Sequence, residues 1–216
     1  MKFKGEEVTF LGWLDNVWYH FKAPIFIGAC AIIFLLVGVT QCATRQEHDV
    51  FIYSVGYHNP TAKDSDLFMR DMENRFAIDS NGDGKKVVDM KVDHFVMAED
   101  GAGGKFVYNS SHQVSEMGAF QLEIGMGDCV VYIMEPAFFY SNLNYFADLE
   151  TELGYLPDKA IEGKGIRLSD LVAYKATMYF CFPEEYIICL ADRDKRYSDE
   201  YYEGNVEFLR NLIEYK

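Results

Sequence analysis

The run Asp79-Ser80-Asn81-Gly82-Asp83-Gly84-Lys85 is the sharpest chemical signal in the chain. Side-chain oxygens at positions one, three and five, followed by glycine at six, reproduce the first half of a calcium-binding loop. Asp79, Asn81 and Asp83 would turn toward one centre because Gly84 permits the sharp bend, and the Lys85 carbonyl would supply position seven. The pattern then departs from the standard loop. Position twelve is Met90, where a bidentate Glu normally stands, and the nearest acid is Asp89 at eleven. The five residues Asp79, Asn81, Asp83, Lys85 and Asp89 are therefore the candidate ligands of a weak calcium site. Asn-Gly and Asp-Gly pairs also favour tight turns in any protein, and a plain loop is the competing reading.

Other patterns fail at a required position. No G-x-S-x-G occurs, so a hydrolase nucleophile elbow is absent. Gly101-Ala102-Gly103-Gly104-Lys105 lacks Walker spacing, with Glu99 and Phe106 where Gly and Ser or Thr are needed. Gly125-Met126-Gly127 opens a dinucleotide-type pattern, but Val130 and a strand follow it. The histidines show neither H-x-H nor H-E-x-x-H spacing. Glu123, Asp128 and Glu135 cluster around one predicted strand and could do acid–base work only by converging in one cleft. No catalytic role is expected of this chain.

Composition narrows the class further. The 216 residues carry 20 Lys and Arg against 34 Asp and Glu, a net charge of −14. Such a surface repels phosphate backbones, which argues against a nucleic-acid partner. Half the residues are hydrophobic and 16% are aromatic, which excludes a disordered chain. A mean hydropathy of −0.11 excludes a multispanning membrane protein, although not a single span.

Residues 23–44 carry no charge, and roughly 20 residues at about 1.5 Å rise cross a hydrocarbon core. Trp13 and Trp18 precede this segment, and Phe10, Leu14, Val17 and Phe21 recur at helical spacing. Residues 1–22 are thus expected to be a cytoplasmic amphipathic juxtamembrane segment, helical over FLGWLDNVWYHFK with its tryptophans at the headgroups, and Pro24 to bend the chain into the transmembrane helix 23–44. Lys2, Lys4 and Lys22 against Arg45 favour a cytoplasmic N-terminus. Glu6, Glu7 and Asp15 balance those three lysines, so the exported residues carry the whole negative charge. The region before the apolar stretch is long and no A-x-A site follows, so an uncleaved anchor is expected. The chain then reads as a single-pass protein of the cell membrane with residues 45–216 outside.

The exported part alternates strands and helices: strand 49–56, helix 65–77 capped by Ser65, strand 86–96, helix 111–125 and strand 129–134. An aromatic-rich helix 138–153 follows, then strands 177–182 and 185–191 and a closing helix 198–215. That order implies one α/β domain with a parallel or mixed sheet flanked by helices. Cys129, Cys181 and Cys189 cannot form a disulfide framework, and no C-x-x-C offers a zinc site. Cys181 and Cys189 flank FPEEYII and read as two buried thiols in neighbouring strands.

The segment GAFQLEIGMGDCVVYIMEPAFF resembles the part of extracellular solute-binding proteins where a helix ends in Gly-Asp and a strand carries a ligand loop at its C-terminal end. DVFIYSVG and the helix after it resemble that family's first βα unit. The order WYHFKAP, membrane segment, strand, helix, SNGDGKK is similar to small, uncharacterised membrane-anchored proteins of Gram-positive anaerobic bacteria. The resemblance implies one lobe where solute-binding proteins have two. It points to a binding module for an unknown small solute, sited near residues 54–57 and 135–139. The alternative is an accessory subunit of a cell-envelope membrane complex, contacting a membrane-protein partner through residues 138–146.

Overall fold

The computed structural model describes residues 10–44, 47–95, 111–127, 129–176, 180–193 and 197–215. The chain divides into residues 1–46 and residues 47–216, two separate units.

The first unit contains one helix, α1 (Phe10–Thr44). Its Trp18–Gly38 stretch has mean hydropathy 2.2 and none of it is buried, so the helix is long and apolar enough to cross a membrane. Phe26, Ile27, Phe34 and Leu35 are each more than two-thirds exposed. One helix runs through Pro24, which removes a single backbone hydrogen bond without ending the helix.

The second unit is an α/β domain around a six-stranded mixed sheet in the order β2-β1-β3-β6-β5-β4. Its strands are β1 (Val50–Gly56), β2 (Val88–His94), β3 (Val131–Met134), β4 (Ala160–Ile161), β5 (Gly165–Arg167) and β6 (Ile187–Leu190). β1 pairs in parallel with β2 and β3, whereas β6 runs antiparallel to β3, and β5 and β4 continue antiparallel. β3 and β6 are buried at every residue because helices cover both faces, so their sequences read as continuous apolar runs. β2 is an edge strand, and its burial varies along the strand as Val88, Asp89 and Met90 alternate in type.

The helices are α2 (Ala62–Arg75), α3 (Ser111–Met126), α4 (Pro136–Ser141), α5 (Leu149–Leu153), α6 (Val172–Ala176) and α7 (Asp199–Ile213). α2 starts earlier than its apolar stripe suggests. Thr61, not Ser65, is the N-cap: its hydroxyl accepts from the Asp64 N–H at 3.2 Å and donates to Asp64 Oδ2 at 2.7 Å. Ser198 caps α7 in the same way.

The expected aromatic helix 138–153 is three pieces, α4, a 3-10 turn at Leu143–Tyr145 and α5. Asn142 leaves helical geometry, and the Ala147 N–H donates to the Leu190 carbonyl at 2.9 Å, so the chain is drawn out along β6 before Asp148 starts α5. No strand forms at residues 180–182, and residues 177–179 lie outside the described part. Cys181 therefore has no strand position beside Cys189, and both thiols are free.

Candidate functional site

β1 leads through α2 to β2 on one side, and β2 leads through α3 to β3 on the other. Right-handed crossovers in opposite directions put α2 and α3 on opposite faces of the sheet. The stacking of Phe120 of α3 on Tyr53 of β1, ring centroids 6.3 Å apart, fixes which face α3 covers. The C-terminal ends of β1 and β3 are therefore the switch point of the sheet, the place where α/β folds open a crevice.

Backbone hydrogen bonds shape this crevice. The Glu135 N–H donates to the Val55 carbonyl and the Phe95 N–H to the Gly56 carbonyl, so the three strand ends leave the sheet side by side. Glu135 caps α4, accepting from the Ala137 N–H at 3.1 Å. Burial pushes the Glu135 carboxyl above its ordinary range, against the backbone N–H groups of Ala137 and Phe138 that hold it down. A β-carbon on Gly56 would lie 2.2 Å from the Tyr186 hydroxyl oxygen and 2.9 Å from the Glu135 β-carbon, so only glycine fits there. The Tyr186 hydroxyl accepts the His58 N–H at 3.0 Å, and burial raises its pKa.

A cavity opens near each face of this closure. One, of about 410 Å³, lies between the start of α2 and residues 180–183 and includes His58, Asp64, Phe180 and Cys181. The other, of about 270 Å³, lies between α3 and α4 and includes Tyr57, Phe120, Gln121 and Phe138. A larger groove of about 560 Å³ runs along β5 and the end of α7. Four of its polar groups pair with one another, Lys159 with Asp170 and Tyr155 with Glu214, each at 2.9 Å.

A buried network lies behind the crevice. The Tyr53 hydroxyl donates to Asp93, and Lys91 stands 4.6 Å above the Tyr53 ring and 3.7 Å from Asp93. Burial and then the Asp93 carboxylate drive the Tyr53 phenol far above its usual pKa. These groups stiffen the edge of the sheet and are committed to each other.

Glu123 and Glu135, two of the acids that could do acid–base work, stand at opposite ends of β3. Glu123 lies in the last turns of α3, ahead of β3, and Glu135 follows β3, so the strand separates them. Asp128 lies outside the described residues.

The candidate calcium loop sits at the opposite, N-terminal end of β1 and β2. Asp79 accepts backbone N–H groups from Gly82 and Asp83 on one oxygen and from Gly84 on the other, at 2.7, 3.1 and 2.8 Å. Asn81 accepts from Asp83 and Asp83 from Lys85, so the candidate side chains fold the loop upon itself. Gly84 has φ +83°, the bend its sequence position implies. Asp89 is exposed on the edge strand and accepts from the Met90 N–H. Among the described residues, no three His, Cys, Asp or Glu side chains are grouped to hold a metal ion.

The residue that organises this end is Asp49, which sequence reasoning missed. It is 1% exposed and accepts four hydrogen bonds, from the Ser80 N–H and hydroxyl, the Asn81 N–H and the Val87 N–H. The Asp49 carbonyl takes a fifth, from the side chain of Asn205 on α7. The only local signal was an acid directly before a β-rich run.

The fold and crevice define an α/β domain with a ligand-sized opening at its switch point, joined to a helix of membrane-spanning length. No family model, no curated protein and no solved structure matches this chain.

Proposed function

We propose that the chain is a single-pass membrane protein whose exported domain, residues 47–216, is a non-catalytic binding module for a small solute. The membrane reading rests on the exposed apolar stretch Trp18–Gly38 and the outward orientation on Lys2, Lys4 and Lys22. One observation carries the binding reading: cavities of about 410 and 270 Å³ open at the C-terminal ends of the strands, near the size of small-molecule sites. The resemblance to one lobe of solute-binding proteins points the same way.

The accessory-subunit alternative would use residues 138–146 as a contact surface. Phe138, Phe139 and Phe146 are at most 6% exposed and belong to the core, which leaves Tyr140 and Tyr145 at that surface. Two half-exposed tyrosines are a small patch for a stable interface. In the proposed module the loop of residues 79–85 is a structural turn at the end of the sheet away from the ligand.

The test is nuclear magnetic resonance of the full chain in detergent micelles against a fragment set of neutral, cationic and anionic compounds. Binding that shifts Tyr57, His58 and Ala137 supports the module. Binding confined to the groove at Tyr155 and Val172, or to none of these residues, overturns it.

A further inference from the structure

We propose that the cavity between the start of α2 and residues 180–183 selects a small organic cation, an amine carrying an apolar or aromatic group. This inference rests on the reading of the strand-end crevice as a ligand site and names the chemistry that the site accepts.

Charge comes first. Asp64 is the one carboxylate among the described lining residues, and none of them is lysine or arginine. Thr61 holds that carboxylate in the first turn of α2 through the reciprocal pair at 2.7 and 3.2 Å. The positive end of α2 therefore already carries its anion, and a second anion would meet the Asp64 charge instead of bare N–H groups. The net charge of −14 adds a long-range attraction for cations.

The walls supply the rest. Phe180 and Phe182 line the cavity, and buried Phe68 holds both rings edge-on, with centroids 5.3 and 5.5 Å away. Aromatic rings attract a cation within about 6 Å of the centroid, and Leu67 and Pro183 give an attached apolar group somewhere to lie. Cys181 is part of the same wall. Burial pushes its thiol up to about 12, so at neutral pH it is an uncharged, weakly polar surface. The cavity between α3 and α4 has no charged residue among its described lining, and its Ser141 and Asn142 side chains donate to the Ala137 and Phe138 carbonyls at 2.8 Å. A cation finds no counter-charge there.

Three probes of one shape separate charge from bulk: 2-phenylethylamine, 2-phenylethanol and phenylacetate, each titrated into the full chain in detergent micelles by calorimetry and magnetic resonance. The amine is expected to bind saturably with shifts at His58 and Leu67, the alcohol about tenfold more weakly and the acid more weakly still. Asp64→Asn keeps the size of the capping side chain and is expected to lower amine affinity about tenfold. Phe180→Leu is expected to reduce the preference for amine over alcohol about threefold or more, and it provides a second reading should Asp64→Asn perturb the fold. Gln121→Ala, in the other cavity, should leave amine binding unchanged.

Equal binding of alcohol and amine, stronger binding of the acid, or amine affinity indifferent to both Asp64→Asn and Phe180→Leu would overturn the proposal. If neutral or anionic fragments shift Tyr57, His58 or Ala137 while the amine does not, the cation assignment fails and the binding module stands. If no fragment of any charge shifts them, both fail.

Discussion

At the N-terminal end of the parallel strands, Asp49 gathers four hydrogen bonds and the loop of residues 79–85 closes on its own backbone. At the C-terminal end, Gly56, Tyr186 and Glu135 meet so tightly that a methyl group does not fit, yet a cavity opens near each face. Both ends are rich in polar residues. They differ in where those residues are directed: inward to satisfy the backbone at one end, and around accessible space at the other. In the run Asp-Ser-Asn-Gly-Asp-Gly the side-chain oxygens accept from the loop's own backbone, while the end with no recognisable motif lies beside two cavities.

Asp49→Ala is the severest test of this contrast. It leaves the partly buried N–H groups of Ser80 and Val87, and that of Asn81, without their acceptor and is expected to cost about 3 kcal/mol. Urea unfolding of the full chain in detergent measures it, and a loss under about 1 kcal/mol would show that the N-terminal end is not held this way.

Gly56→Ala comes next, at about 1–3 kcal/mol, because Tyr186 or Glu135 has to move. Unlike Asp49→Ala it should also alter fragment binding at His58 and Tyr57. An effect on stability without any effect on binding would erase the distinction between the two ends.

Asp79→Ala removes acceptors in an exposed loop and should cost about 1 kcal/mol. The loss is expected to be the same in chelator and in millimolar calcium. A melting temperature that calcium raises, and that Asp83→Ala returns to its starting value, would instead make this end a metal site.

The smallest effect is a pH dependence at Glu135. Its pKa is raised in the folded chain, so the stability linked to it is fully present below the ordinary pKa of about 4.5 and falls as pH rises through the folded value. Because the carboxyl is partly solvated, the change is expected to stay within a few tenths of a kcal/mol. Glu135→Gln should flatten that part of the profile in denaturation midpoints collected from pH 4 to 7 (about the acid range of a perturbed carboxyl). An unchanged slope would remove Glu135 from the account.

The parallel wing of the fold was legible because its signals are local. DVFIYSVG and CVVYIM are apolar runs of strand length, and Phe68 and Met72 mark the buried stripe of α2. The antiparallel wing was not. β4 and β5 are two and three residues long, too short for periodicity, and their turn places Glu162 at φ +50°, a residue type that does not announce it. The aromatic spacing of residues 138–153 read as one helix because Phe138, Phe139 and Phe146 are all core residues, and a broken chain can bury them as well as a helix.

Topology and resemblance point to residues 54–57 and 135–139; Tyr57, Ala137 and Phe138 line the smaller cavity, whereas the larger one is lined by His58, residues of α2 and residues 180–183. The closing residue of the crevice, Tyr186, could not be found from sequence, since the His58 contact spans 128 residues. Asp49 was hidden for the same reason. Its partners lie between 31 and 156 residues away, and nothing near it in the chain records them.

The chain enters the domain at Glu47, three residues ahead of β1, an interior strand paired in parallel on both sides. A force applied at the start of β1 would meet both of its parallel ladders. The two ladders would have to give way in shear, many bonds at once, where an edge strand could be peeled off bond by bond. The Asn205 clasp on the Asp49 carbonyl adds a brace from the last helix at the point where the force arrives.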